Sequence, residues 1–152
     1  QSQIIRTHFS TFGEAAHLTE VKGCGTKLHP NNPKTTFADN TFRMKGKEIL
    51  RYSLKKAPQV FEKIWPGLAT GVDDFDIIVP HQPSRVGMMA MSRYLPPEKT
   101  VQTLSKYGNC VSVSLPLTLD EAIRSGRLKR GHRCLMFGTG AGLSIAGMVF
   151  VF

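Results

Sequence analysis

The run Phe75 to Val79 constrains the fold more than any other stretch. It is short, apolar-rich and β-branched, stops at Pro80, and passes through His81-Gln82-Pro83 into a helix-like segment from Ser84. Such a run, bounded by proline, reads as a buried strand. A strand that hands over directly to a helix is one step of an α/β sheet, and these sheets place ligands at the carboxyl ends of their strands. His81 stands at that end. By spacing alone it reads equally well as a histidine that closes a strand and meets only water. A second junction, Tyr107-Gly108-Asn109-Cys110, puts Asn109 after a glycine and ahead of another helix-like segment. In isolation Asn109 reads as a Gly-Asn turn residue with positive φ. Taken together, the two junctions deliver two polar side chains to sheet tips, where they can converge on one reacting atom.

The remainder of the chain repeats the alternation. Ile4 to Phe12 reads as a strand ended by Gly13, and residues 20–34 as a loop rich in glycine, proline and asparagine. Glu48 to Trp65 reads as a helix whose apolar positions Leu50, Leu54, Ala57, Phe61 and Ile64 form one buried face. Pro58 is expected to kink or split that helix. Ser84 to Leu95 reads as a second helix, with Met88, Met89 and Met91 as core packing. Thr100 to Leu104 reads as a short extended piece. Ser112 to Arg124 reads as a third helix, with Pro116 in its first turns and Gly126 as its cap. Arg133 to Phe137 and Leu143 to Phe152 read as strands on either side of a tight loop, Gly138-Thr139-Gly140-Ala141-Gly142.

Bulk properties narrow the function classes. The chain has 152 residues and 41% hydrophobic content, which suits one domain spanning 1–152 with a real core. No apolar run reaches the length of a membrane span, and the start has neither a charged leader followed by an apolar stretch nor a methionine. The chain therefore reads as a fragment or processed product that is not a membrane protein. Its three cysteines (Cys24, Cys110, Cys134) are odd in number and lack metal-like spacing, so a reducing, cytoplasmic setting fits. Cys24 with His17 and His29 matches no common zinc pattern, and no metal is expected. The net charge of +9 is either a solvated basic surface or a match for an acidic partner. The basic residues cluster weakly and are not interleaved with aromatics, so nucleic acid is not the expected partner. Arg43, Lys45 and Lys47 read as a solvated face.

Five motifs in order carry a resemblance. They are Phe42-Arg43-Met44-Lys45-Gly46, His81-Gln82-Pro83-Ser84, Tyr107-Gly108-Asn109, Ser114-Leu115-Pro116-Leu117 and the Gly138 to Gly142 loop. Together they resemble the carboxyl-terminal half of the β-ketoacyl-acyl carrier protein synthase III family, in the thiolase-fold superfamily. The resemblance implies an α/β fold: a thiolase-like half with a mixed five-stranded sheet and helices on its faces. It implies that a nucleophilic cysteine lies in an amino-terminal half absent from this chain, and that Cys24, Cys110 and Cys134 do not take its place. His81 and Asn109 are then the catalytic pair. They would donate hydrogen bonds to the enolate oxygen formed when a malonyl thioester loses its carboxylate. Neutral N–H and NH₂ donors suit that charge.

Substrate contacts are expected, by the same resemblance, at Gln82, Ser84 and Arg85 and at Thr139, Gly140 and Ala141 of the glycine loop. Two departures stand out. Thr139 takes a position where the family often has phenylalanine, and Arg85 falls one place earlier than the family's arginine. They leave room for an ester-forming or hydrolytic acyltransferase, and for a non-catalytic scaffold half. No cofactor is expected beyond acyl-coenzyme A or acyl carrier protein thioesters as substrates. The expected partners are the missing half, acyl carrier protein or a coenzyme A thioester, and a second copy of the complete protein in a homodimer. Half of a two-part fold should also expose an apolar face where its mate belongs.

Overall fold

The structure is a computed structural model that describes all residues, Gln1–Phe152. Its main sheet has the order β1 (Gln3–Thr11), β6 (Ser144–Val151), β5 (Arg133–Gly140), β4 (Ile77–Pro80). β4 runs parallel to β5, whereas β5–β6 and β6–β1 are antiparallel, so the sheet is mixed. A fifth position beside β4 is held only by Thr100, as a single parallel bridge to Ile78. Lys99 and Val101 flank it, accepting from Ile78 N–H and donating to Ile78 O at 2.9 and 3.0 Å. The extended piece read from Thr100 to Leu104 thus shrinks to one rung, because Leu104–Tyr107 turns into a short helix, α3. β2 (Thr19–Glu20) and β3 (Arg43–Met44) form a small separate ribbon.

Every residue of β4 is buried, as a parallel strand covered on both faces must be. Alternate side chains enter two cores. Ile78 joins Leu135, Phe137, Ile145 and Val149 under α1 (Gly46–Ile64), which contributes Val60 and Ile64. Ile77 and Val79 join Cys134 and Phe150 under α4 (Ser114–Arg124), which contributes Ala122. Each such aliphatic burial stabilises the fold by about 1.5–3 kcal/mol. The helix α1 approaches the sheet closely at Gly147, where a Cβ would lie 2.5 Å from Ile64 Cδ1.

Several expectations are revised. Pro58 neither kinks nor splits α1, which runs unbroken through it. Pro58 and Leu54, whose carbonyl loses its helical partner, are both exposed, so water can satisfy that carbonyl. Leu54 is 42% exposed and does not share the buried face. The second helix, α2 (Arg85–Met91), ends four residues short of Leu95. Met89 on it is 60% exposed rather than core. The glycine loop is mostly strand: β5 continues to Gly140, and only 141–143 form the turn. No helix is long and apolar enough to cross a membrane. On the outer strand β1, Ile4 and Phe9 are exposed, as are Val111 and Val113 ahead of α4.

Candidate active site

His81 continues the β4–β5 ladder: its N–H donates to Phe137 O at 2.8 Å, so the residue beside it on β5 is Gly138. A Cβ on Gly138 would come within 2.8 Å of His81 Cβ and 3.6 Å of Leu115 on α4. Glycine is therefore the residue that lets the histidine stand at this spot. The imidazole is half-buried, and burial pushes its pKa below the ordinary value. At neutral pH the ring is uncharged and carries one N–H donor.

Asn109 follows α3, which closes on Gly108 at φ 72°. Its carboxamide oxygen accepts from Val111 N–H at 2.9 Å. That Asx turn engages the oxygen and leaves the NH₂ of this exposed residue without a protein partner. Asn109 itself does not have positive φ. Val111 does, at 51°, an outlier for a β-branched residue. Such strain costs on the order of 1–3 kcal/mol and clusters at functional sites.

Residues 68–152 match the family model described as 3-oxoacyl-[acyl-carrier-protein (ACP)] synthase III C terminal. The chain belongs to this family. It is 43% identical over 110 residues to the β-ketoacyl-[acyl-carrier-protein] synthase III of Microcystis aeruginosa, covering 71% of this chain and 33% of that protein. Against the synthase III of Syntrophomonas wolfei it is 31% identical over 148 residues, covering 96% and 45%. A crystal structure of a 3-oxoacyl-(acyl-carrier-protein) synthase III superposes with a TM-score of 0.84 at 27% identity, over 98% of this chain and 48% of that one. Xanthomonas campestris OleA shares the fold, with a TM-score of 0.79 at 22% identity over 99% and 40%. The chain thus spans between a third and a half of the length of these relatives.

Within this synthase III frame, the other sequence-derived residues divide. Gln82, expected to contact substrate, is 1% exposed, with its side chain engaged inside the protein. Its Nε2 donates to Val101 O at 2.9 Å, and its Oε1 accepts from Thr103 N at 2.9 Å and Leu104 N at 3.0 Å. Ser84 caps α2, accepting from Gly87 N–H at 3.1 Å. Arg85 is exposed, and the chain's three ion pairs do not include it. Thr139, Gly140 and Ala141 are exposed at the hairpin tip, one to three residues beyond Gly138. Sequence reasoning missed Thr103 and Thr118, which are buried with Gln82 and carry no motif that marks them.

Of the cysteines, Cys134 is fully buried and its thiol is pushed up to about 12, far from a nucleophile's range. Cys24 is exposed, with its Sγ donating to Asn40 Oδ1 at 3.7 Å, and Cys110 is half-buried beside Asn109. No group of three or more His, Cys, Asp or Glu side chains is placed to hold a metal ion. A cleft of about 440 Å³ opens elsewhere, at the β2–β3 ribbon, with His17, Glu20, Lys22, Arg43 and Lys45 in its lining. It includes none of His81, Gln82, Ser84, Arg85, Asn109 and Thr139 to Ala141.

Proposed function

We propose that this chain is the catalytic second half of a decarboxylating β-ketoacyl synthase, completed by an amino-terminal half that brings the nucleophilic cysteine. The cysteine takes an acyl group as a thioester. The malonyl thioester then binds with its carbonyl oxygen toward His81 and Asn109. Its carboxylate leaves as CO₂, and the bonding pair moves into an enolate whose oxygen takes up the charge. The imidazole N–H and the Asn109 NH₂ stabilise that oxygen. The enolate carbon attacks the acyl thioester, and the cysteine leaves as thiolate. Each preorganised donor is worth on the order of 3 kcal/mol at such an oxyanion.

The observation that carries this reading is a half-buried histidine at the end of a buried parallel strand, seated against a glycine on the neighbouring strand, where burial favours the neutral ring. The turn that engages only the oxygen of Asn109 supports it. The partners in this reading are the companion half, an acyl carrier protein or coenzyme A thioester, and a second copy of the complete protein, in the cytoplasm. No resident cofactor takes part. The exposed apolar residues of β1 and of the segment before α4 suit burial against the companion half.

The test compares the protein assembled from both halves with its His81→Ala form, following CO₂ release from a malonyl thioester and formation of the β-ketoacyl product. The reading expects a loss of at least about a hundredfold in both. An ester or free acid as product, or an unchanged rate in the variant, overturns it. The chain without its companion is expected to form no ketoacyl product.

A further inference from the structure

The chain concentrates its buried polarity in one place. Gln82, Thr103, Ser114 and Thr118 are all at most 4% exposed, and three of them join in one hydrogen-bonded network through their side chains. Proton accounting gives the network a direction. The single hydroxyl proton of Thr118 goes to Ser114 O at 2.7 Å. The 2.8 Å contact between Thr103 Oγ1 and Thr118 Oγ1 therefore has Thr103 as donor, and Gln82 Nε2 approaches the same oxygen at 3.5 Å. The Oε1 of Gln82 accepts from the N–H groups of Thr103 and Leu104, where α3 begins.

These contacts bind three elements. Gln82 belongs to the junction that bears His81, Thr103 and Leu104 open α3, and Thr118 lies one turn into α4. The segment bearing Asn109 spans 108–113, between α3 and α4. The helices on either side of it are thereby tied, at Thr103 and Leu104 and at Thr118, to the residue next to His81. A buried network with its partners in place specifies one arrangement, because any shift leaves a polar group unpaired in low dielectric.

We infer that Gln82, Thr103 and Thr118 are positioning residues that fix the Asn109 carboxamide relative to the His81 imidazole. They touch no substrate and act through the two donors. The inference rests on the reading of His81 and Asn109 as enolate donors.

The experiment uses the assembled protein. Two rates are measured separately: acylation of the companion half's cysteine and decarboxylation of malonyl thioester. Thr118→Val and Thr103→Val each remove one end of the same hydrogen bond. Each is expected to lower decarboxylation kcat by about tenfold to a hundredfold, with KM and cysteine acylation within about twofold of the parent. The double variant should lose no more than about Thr118→Val alone, since that change already breaks the bond to Thr103 together with the one to Ser114 O. Thr118→Ser, which keeps the hydroxyl, should return the rate to within about threefold of the parent. An unchanged kcat in folded Thr118→Val, an additive double loss, or an equal loss in acylation overturns the inference. If Thr118→Val does not fold, Thr103→Val reports on the same bond from its donor end. Failure of the donor reading itself appears separately, as decarboxylation that survives His81→Ala.

Discussion

Gly138 and His81 stand so close across the β4–β5 ladder that a methyl group on the glycine would lie 2.8 Å from the histidine's Cβ. Neither atom is the free end of a flexible side chain, so the contact cannot be relieved by a rotamer change. The hairpin glycine thereby sets where the imidazole is held.

Gly138→Ala is expected to fold and to lose about tenfold to a hundredfold in malonyl decarboxylation, because the ring is displaced from its working position. Parallel measurements of Tm and decarboxylation rate check this. A fully active Gly138→Ala would show that the close approach has no bearing on the histidine.

Gly147 makes the matching approach on the core side. Its missing Cβ leaves room for Ile64, which is wholly buried and has nowhere to go. Gly147→Ala is expected to destabilise the fold by about 1–3 kcal/mol through overpacking. Urea unfolding gives the number, and parity with the parent would contradict the packing of α1 on β6.

The burial of His81 also makes stability depend on pH. Its folded pKa lies below the unfolded value of about 6.5, so the unfolded chain binds that proton more readily. Stability from this group is therefore intact above about pH 6.5 and falls as pH drops below it toward the folded pKa. His81→Gln is expected to lose less stability than the parent between about pH 7.5 and about pH 5.5. Equal losses would mean that the ring is not held neutral. A proton NMR titration of the ring checks the same direction.

The cysteines should separate by access. Cys24 is exposed, Cys110 half-buried and Cys134 buried, with its thiol pushed up to about 12. Iodoacetamide at neutral pH is expected to label Cys24 first, Cys110 more slowly and Cys134 only after unfolding. Rapid labelling of Cys134 in the native chain would contradict the packing around β5.

The legible parts of this fold are those governed by local pattern. Phe75 to Val79 announce a buried strand by composition and a proline stop, where the structure has Ile77–Pro80, and His81 follows from its position. Gly126, at φ 70°, ends its helix as its place after Arg124 suggests. Other features depend on tertiary context. Pro58 looks like a helix breaker, but it and Leu54 are exposed, so water can satisfy the freed carbonyl and α1 continues. The five-residue glycine segment looks like a loop, but pairing of Gly138, Thr139 and Gly140 with Ala146, Ile145 and Ser144 keeps it in strand. Gln82 looks like a ligand contact because it stands in one motif with His81 and Ser84. Only the arrival of Val101, Thr103 and Thr118 around it turns it into a buried tether. No periodicity in the chain marks those partners, which lie 19 to 36 residues away.

Asn109→Asp tests the central claim most directly. The substitution keeps an oxygen to accept from Val111 N–H, and so keeps the turn, but removes the NH₂. In the assembled protein, malonyl decarboxylation is expected to fall by about a hundredfold to a thousandfold while cysteine acylation holds its rate. Decarboxylation at the parent's rate would mean that the carboxamide donates nothing to the enolate, and that Asn109 serves only its turn.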